Sequence, residues 1–224
     1  MCLIIQKPAG RRISAAFITH AWQRNDHGWG VFHPAPGGPA WRKGMALDEL
    51  LAMNEHLPIE TEAYLHLRQA TYGPVHEHMA HPHVVREGLL LMHNGSIHHL
   101  APRDPAVSDS AELASALRDL LAGLDDVQAA ALLRSEGFRR LTAPLIQGSM
   151  VVLIDAQGVV RLGRDWHRVR QGEWHGDMQG VAVSNVHAWT PLSMGLSQQA
   201  LRAARRRWGQ GLALSAAGPR AWGG

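Results

Sequence analysis

The amino-acid sequence predicts an α+β fold with layered strands and helices. Short apolar strands precede residue 100 and follow residue 149, and two helices with regularly spaced leucines lie between them. This order of strands, then two helices, then strands again differs from the regular strand–helix alternation of a parallel sheet. An α+β domain is therefore the expected class.

The first half of the chain carries four predicted strands and two predicted helices. The first strand, Cys2 to Gln6, is apolar and stops before Pro8, which interrupts the strand pattern. Helical spacing is present at 13–22 and from Leu47 to Leu57, where Pro58 closes it. The other strands are predicted at 28–33, before a proline-rich turn at 34–39, at 63–68 and at 88–92.

Two helices and a hairpin are predicted in the second half. Asp109 can cap a helix whose third residue is Glu112 and whose leucines share one face. A second helix follows from Asp126 to Ser135. Residues 150–162 contain two apolar runs around Gly158, as in a β-hairpin, and 181–184 form a further short strand.

Length and charge bound the domain organisation. With 224 residues, 46% of them apolar, the chain is expected to form one domain at 1–195, followed by a basic, Gly- and Ala-rich helix or tail at 196–224. The formal net charge is +3 and charged residues make up 18%, which gives no support to nucleic-acid or membrane binding. Four arginines between 201 and 208 fit a solvated helix end better than a nucleic-acid site.

Cysteine usage and the N-terminus predict the compartment. The single cysteine allows no intramolecular disulfide. The first residues lack the charged-then-apolar order of a secretory signal, and no apolar run approaches the ~18 residues of a membrane span. We therefore expect a cytoplasmic protein.

Cys2 is the first candidate catalytic residue. Methionine removal generally tolerates a small second residue, and it would leave Cys2 with both a thiol and a free α-amine. A thiol with a pKa near ~8.5 can pass its proton at neutral pH to an amine with a pKa near ~7.7. The processed residue would then hold nucleophile and base together. The alternative is a small buried apolar residue, the usual role of a free cysteine.

Four short motifs follow Cys2 in the chain. They are NDHGWG at 25–30, HLRQATYG at 66–73, HNGSI at 93–97 and SDSAE at 108–112. In this order they resemble the Asn-x-Asp-Gly-Trp-Gly, His-x-Arg-x-Ala-Thr-x-Gly, His-Asn-Gly-x-Ile and Ser-Asp-Ser/Thr-x-Glu patterns of class II glutamine amidotransferases. Each motif is weak alone, and the ordered set is fairly specific. It covers residues 2–112, whereas the second half is similar to the family only in general terms.

The resemblance implies a four-layer αββα sandwich of the N-terminal nucleophile hydrolase type, and it implies roles for site residues. Arg68 would pair with the α-carboxylate of glutamine through its planar guanidinium, and Asp109 would hold the α-ammonium group. The side chain of Asn94 and the backbone N–H of Gly95 would donate to the oxyanion formed when Cys2 attacks the amide. The remaining substrate-pocket residues would be Thr71, Gly28 and Trp29.

The implied reaction is amide hydrolysis through a γ-glutamyl thioester on Cys2, with release of ammonia and then glutamate. The resemblance implies no metal and no organic cofactor. The substrate would be glutamine or a related γ-glutamyl amide. Nothing in the chain resembles a synthase domain, so the ammonia would be either released or passed to a separate synthase subunit.

The chain departs from the family pattern at three places, which keeps alternatives open. The residues after Cys2 lack the Gly-Ile run that is common in the synthase-linked members, so a γ-glutamyl amide stays open as the substrate. His27 replaces an aspartate, and the histidine-rich stretch 76–83 has Met79 and His83 where the family shows Asn-x-His-Pro-Phe. The histidine density leaves a metal-binding or pH-sensing module as one alternative, although the spacing fits no common zinc signature. A catalytically inactive binding domain is another. The structural explanations for the polar residues are a surface arginine at Arg68, a turn at Asn94-Gly95 and a helix cap at Asp109.

Overall fold

Two antiparallel sheets, five α-helices and two short 3₁₀ helices, at Glu77–Met79 and His98–Leu100, make up the part of the chain that the structure describes. The structure is a computed structural model, and it describes residues 1–100, 102, 104–174 and 178–189. The strands are β1 (Leu3–Lys7), β2 (Trp29–Ala35), β3 (Gly38–Gly44), β4 (Ala63–Leu67), β5 (His83–Arg86), β6 (Leu89–Asn94), β7 (Met150–Asp155), β8 (Gly158–Gly163), β9 (His167–Arg168) and β10 (Ala182–Val183). The helices are α1 (Ala15–Trp22), α2 (Leu47–His56), α3 (Asp109–Leu120), α4 (Asp126–Arg134) and α5 (Glu136–Thr142).

The two sheets differ in size and in how far apart their strands lie in sequence. The six-stranded sheet has the order β3-β2-β4-β1-β10-β9, and the four-stranded sheet has the order β5-β6-β7-β8. Strand β1 pairs with β4 on one side and with β10 on the other. The N-terminal strand therefore lies in the middle of its sheet, held by two segments that are distant in sequence. This mixed arrangement agrees with the predicted α+β class.

Apolar side chains form three cores because alternate strand residues point to opposite faces. Leu3 and Ile5 of β1 pack with α1 and α2, whereas Ile4 faces the four-stranded sheet. In β6, Leu90 and Met92 face the six-stranded sheet. Apolar residues of β6 and β7 on the opposite face pack against α3, α4 and α5. One core thus lies between the six-stranded sheet and helices α1 and α2, and a second lies between the two sheets. The third lies between the four-stranded sheet and helices α3, α4 and α5.

Several elements were not expected from the sequence, and one expectation was wrong. Ser108, rather than Asp109, caps α3, because the Ser108 side chain accepts a hydrogen bond from the Ala111 N–H and Asp109 is already helical. The predicted turn at 34–39 contains the two-residue turn at 36–37 that joins β2 to β3, and the two strands extend into the predicted range, with Pro34 opposite Pro39. Strands β3, β5 and β9 and helix α5 were also not expected.

Two findings concern segments outside this framework. No helix among the described residues combines the length and apolar character needed to cross a membrane. The predicted tail at 196–224, with its arginines at 201–208, lies outside the described residues and stays a prediction.

Candidate active site

Cys2 lies immediately before β1, at the end of the six-stranded sheet where β4 finishes. The pairing of Leu3 with Leu67 brings Cys2 beside the residues that follow β4. The Gln69 N–H donates to Cys2 Sγ at 3.4 Å, and Cys2 Sγ lies 3.5 Å from the Gln69 carbonyl oxygen. Burial raises the pKa of the Cys2 thiol, and the Gln69 contact and the nearby N-terminal and Arg68 charges act in the opposite direction.

Two asparagines fix the main chain around Cys2. Asn25 Nδ2 donates to the Met1 carbonyl oxygen at 2.9 Å and to the Leu67 carbonyl oxygen at 3.3 Å. Asn185 Nδ2 donates to the carbonyl oxygen of Cys2 at 2.6 Å. The peptide bond that Met1 removal would cleave and the bond on the other side of Cys2 are therefore each held by a side-chain amide.

Arg68 follows β4 and is almost fully buried, with 3% of its surface exposed. Its Nη1 donates to the Pro74 carbonyl oxygen at 2.8 Å, and its Nη2 donates to the Tyr72 carbonyl oxygen at 3.0 Å. These bonds use two of the five guanidinium N–H groups. Burial lowers the pKa of Arg68, but a guanidinium stays protonated in proteins, so the cleft contains a fixed positive charge.

A single cleft brings together five of the residues predicted from sequence. The cavity at its centre is about 20 Å³ with Met1 in place, which is room for about one water. Any amino-acid substrate therefore requires some of the residues that line this cavity to move. The predicted residues that line the cleft are Cys2, Arg68, Thr71, Gly95 and Asp109, and the other lining residues are Gln69, Ala70, Tyr72, His81, His93, Ser108 and Ser110.

Asp109 reaches the cleft from the first turn of α3. It is buried, and its Oδ2 accepts a hydrogen bond from the Ile97 N–H at 2.9 Å. This bond ties α3 to the turn that follows β6. The cleft therefore contains a buried guanidinium and a buried carboxylate, and the hydrogen-bond partners of the guanidinium within the described residues are carbonyl oxygens.

Asn94 is the last residue of β6, and Gly95 follows it. Gly95 lines the cleft, whereas Asn94 is not among the lining residues. Asn94 is fully buried, and its Nδ2 donates to Ser184 Oγ at 2.6 Å, while its Oδ1 is buried without a partner. Ser184 Oγ also accepts from the Ile4 N–H at 2.8 Å. Gly95 has a φ of 145°, and a Cβ there would lie 2.2 Å from Ser149 Oγ, so the chain requires glycine.

The structure does not bring Gly28 and Trp29 to the cleft. Trp29 alternates with Gly30 along β2, and its ring belongs to the core shared with α1 and α2. Gly28 acts through its backbone, because its carbonyl oxygen accepts a hydrogen bond from the Arg68 N–H at 2.8 Å. Gly28 thus supports a cleft residue without lining the cleft itself.

His27, which departs from the family pattern, has a defined place in the same support. Its ring Nδ1 accepts a hydrogen bond from the Ala70 backbone N–H at 3.0 Å, and the backbone N–H of His27 donates to the Arg68 carbonyl oxygen at 3.1 Å. Its Nε2 lies 3.6 Å from Asp26 Oδ1. His27 therefore holds the segment that carries the Cys2 contact at Gln69.

Four histidines form a buried cluster, and two of them, His81 and His93, also line the cleft. Their rings lack partners at five nitrogens, and the rings of His66 and His81 stack with centroids 3.9 Å apart. His93 is tied in through a 2.8 Å contact between its Nδ1 and Ser110 Oγ. Burial lowers the pKa of every member, so all are neutral at pH 7. The buried histidine cluster consists of His66, His81, His83 and His93.

The histidine-rich stretch 76–83 is split between this cluster and the surface. His76 and His78 are exposed, and their Nδ1 atoms lie 2.5 Å apart. Within the described ranges, no group of three or more His, Cys, Asp or Glu side chains is arranged to hold a metal ion. The stretch therefore gives the metal-binding alternative no specific support.

Ser184, Asn185 and Asn25 are site residues to which the sequence assigned no chemistry. Ser184 and Asn185 follow β10, which pairs with β1 across about 180 positions of sequence. Short strands and isolated asparagines carry no local signal for such contacts. The pairing of β1 with β10 brings Ser184 to Asn94 and Asn185 to Cys2.

Comparisons with known proteins add little to this geometry. The chain matches no protein-family profile and no curated protein. Among solved structures it is similar to that of a glutamine aminotransferase class-II domain protein from Silicibacter pomeroyi, with 17% sequence identity, coverage of 82% of this chain and 87% of that chain, and a TM-score of 0.39. Because a TM-score of this size does not establish a shared fold, the case for the site rests on contacts within this chain.

Proposed function

We propose that the chain is a cysteine N-terminal-nucleophile amidohydrolase that releases ammonia from glutamine or a related γ-glutamyl amide. One observation carries the proposal: residues from four separate segments converge on one cleft. They supply a thiol, a buried guanidinium and a buried carboxylate, which are the groups needed to bind and cleave an amino-acid amide. These residues are Cys2, Arg68, Thr71, Gly95 and Asp109.

The reaction begins with loss of Met1, which frees the α-amine of Cys2. The amine takes the proton of the thiol, directly or through a water, and Sγ attacks the side-chain amide carbon of the substrate. The carbon–nitrogen bond then breaks, and the amine returns the proton to the departing ammonia. Water cleaves the resulting γ-glutamyl thioester, which gives glutamate and restores the thiol.

Asn94 and Gly95 stabilise the oxyanion that precedes each product. In the structure, Asn94 Nδ2 is bonded to Ser184, and the Oδ1 atom is the one without a partner. Rotating the amide by 180° lets the Ser184 hydroxyl donate to Oδ1 and leaves Nδ2 free as an oxyanion donor. Losing one such donor typically costs roughly 10²–10³ in rate.

Arg68 and Asp109 select the amino-acid end of the substrate. Arg68 has three N–H groups beyond the two that hold the Tyr72 and Pro74 carbonyls, and these can pair with an α-carboxylate. Asp109 uses Oδ2 for the Ile97 N–H, which leaves Oδ1 for the α-ammonium group. Thr71 lies on the exposed side of the same cleft.

The order of the three cores supports the four-layer αββα part of the proposal. Helices, six-stranded sheet, four-stranded sheet and helices follow one another through the domain, with one apolar core at each junction. Cys2 at the start of a central strand suits an N-terminal nucleophile, because both neighbouring strands fix its position. The ammonia acceptor is solvent or a separate synthase subunit.

Covalent trapping tests this proposal. The chain, shown by intact mass to lack Met1, is treated with a diazoketone analogue of glutamine, and the modified residue is identified by peptide mass spectrometry. We expect one adduct per chain on Cys2, and competition by glutamine. Arg68→Lys should slow labelling, because an ammonium group cannot reproduce the bidentate pair. Labelling that is absent, or that glutamine does not slow, would refute the assignment.

A further inference from the structure

A second cavity, of about 360 Å³, lies between the end of α5 with the residues after it and the end of β8. Its lining contains three arginines and no aspartate or glutamate. The neutral polar contributions come from Thr142 and Gln147 and from the backbone of Gly148 and Gly163. We call it the arginine cavity, after Arg139, Arg161 and Arg164.

Two of the three guanidinium groups have no carboxylate partner among the described residues. Arg161 is paired with Glu62 at 2.7 Å and also donates to the Tyr64 hydroxyl. Arg139 donates to the carbonyl oxygen of Arg161 at 3.3 Å, and this is the acceptor that its guanidinium has within the described part of the chain. Arg164 Nη2 meets the thioether sulfur of Met1 at 3.9 Å, and its Nε is buried without a hydrogen-bond partner.

This charge balance differs from that of the cavity beside α4. There, Arg86 is paired with Asp126, and the lining also includes Asp155, which forms a 2.7 Å ion pair with Arg134. A buried guanidinium N–H without an acceptor is costly, and burial lowers the pKa of Arg164. The arginine cavity is therefore short of negative charge, whereas the lining of the cavity beside α4 has Glu87, Asp126 and Asp155 beside its one arginine.

The arginine cavity and the Cys2 cleft share two neighbours. Met1 contacts Arg164 through Sδ and is bonded directly to Cys2. Ser149 packs against Gly95 of the Cys2 cleft on one side, and its carbonyl oxygen accepts from the Arg164 N–H at 3.2 Å on the other. Removal of Met1 would therefore take this contact away from the Arg164 guanidinium and leave Cys2 as the first residue of the chain.

We infer that the arginine cavity binds an anionic group on the amine portion of a γ-glutamyl amide, with Arg164 as the specificity-determining residue and Arg139 as its neighbour. The inference rests on the proposed function, and it narrows the substrate class. Glutamine itself carries no group that could reach these arginines, because its amine portion is ammonia. A γ-glutamyl amide of an amino acid would place its γ-glutamyl end at Arg68 and Asp109 and its free carboxylate at Arg164.

Matched substrate pairs test the inference. The γ-glutamyl amides of glycine, β-alanine and 4-aminobutyrate place a carboxylate at three increasing distances from the scissile bond. Each is compared with the matching carboxamide, which has nearly the same shape and lacks the negative charge. Because a charge-assisted bond to a guanidinium is lost, Arg164→Gln should lower the ratio of kcat/KM for acid over carboxamide by roughly 10- to 100-fold for the best pair. Arg140→Gln is the control, since Arg140 is an exposed arginine of α5 outside the cavity lining.

The outcomes separate this inference from the proposed function. An acid-to-carboxamide ratio near one in the wild type, or one that Arg164→Gln leaves unchanged, would overturn the inference even if glutamine is hydrolysed. If no amide is cleaved at all, the proposed function fails. Anion binding by the arginine cavity is then measured separately, by calorimetric titration of the processed wild type and both variants with inorganic sulfate. Sulfate binding that weakens at least fivefold in Arg164→Gln and not in Arg140→Gln supports the anion site, and equal binding in all three chains overturns it.

Discussion

Replacing Ser184 by alanine should destabilise the fold and slow the reaction through two identified hydrogen bonds. Ser184 is buried, and its Oγ accepts from the Ile4 N–H at 2.8 Å and from Asn94 Nδ2 at 2.6 Å. In either orientation of the Asn94 amide, Ser184→Ala leaves two buried polar groups without a partner, the Ile4 N–H and one end of that amide. Each such group costs about 1–3 kcal/mol, so the two together should cost about 2–6 kcal/mol. At an m value of about 2 kcal/mol/M, the urea midpoint should fall by about 1–3 M.

A second buried serine supplies the matched control. Ser149 is also fully buried, but its Oγ makes only one longer bond, of 3.4 Å, to the Ser96 carbonyl oxygen. Ser149→Ala should therefore cost only about 0.5–1.5 kcal/mol, the net value of one ordinary hydrogen bond. The comparison separates loss of the two Ser184 bonds from the general effect of deleting a buried hydroxyl.

The same variant has a kinetic consequence if Ser184 positions Asn94. kcat for glutamine should fall roughly 10²–10³-fold with little change in KM, because the oxyanion donor loses its orientation. Ser184→Thr keeps the hydroxyl and should recover most of kcat. A destabilisation by Ser184→Ala of less than about 1 kcal/mol, together with kcat within twofold of wild type, would refute the reasoning.

Three further changes have expected outcomes. Gly95→Ala should cost about 2–4 kcal/mol in urea unfolding, because its Cβ would overlap Ser149 at a positive φ, whereas Gly88→Ala, with open space around it, should cost only about 1–2 kcal/mol; equal losses would contradict this. Arg68→Lys should raise KM for glutamine roughly 10- to 100-fold, and an unchanged KM would exclude Arg68 from carboxylate binding. Burial lowers the pKa values in the buried histidine cluster, to about 3 for His66 and His83 and to about 4 for His93. Because the unfolded histidines titrate near ~6.5, the unfolded chain binds more protons below that pH, so stability should be full above about pH 6.5 and fall on acidification towards pH 4; equal urea midpoints at pH 7 and pH 5 would contradict this.

Local patterns in the sequence were sufficient for much of the secondary structure. The strand at 2–6, the helix from Asp126 and the hairpin around Gly158 match β1, α4, and β7 with β8, because each has its own periodicity or turn signal. The edge strand β3 was missed, since Pro39 and the two glycines of this strand indicate a turn. An edge strand tolerates prolines because one side of it needs no hydrogen bonds.

The site was less accessible to sequence reasoning than the secondary structure. Motif order alone placed Cys2, Arg68 and Asp109 in one site, and these residues share a cleft. Trp29 was assigned to the pocket by analogy, but strand alternation turns its ring into the core with α1 and α2. The contacts of Ser184 and Asn185 depend on the pairing of β10 with β1, a long-range contact with no local signal.

The central claim is that Cys2, freed of Met1, is the nucleophile, and the most direct test joins intact mass to activity. Ammonia and glutamate release from glutamine, and from the γ-glutamyl amides named above, would be measured for wild type and for Cys2→Ala, with the mass of each chain confirming that Met1 is absent. We expect both products in equal amounts from the wild type and none above background from the variant. Activity that survives Cys2→Ala would contradict the account.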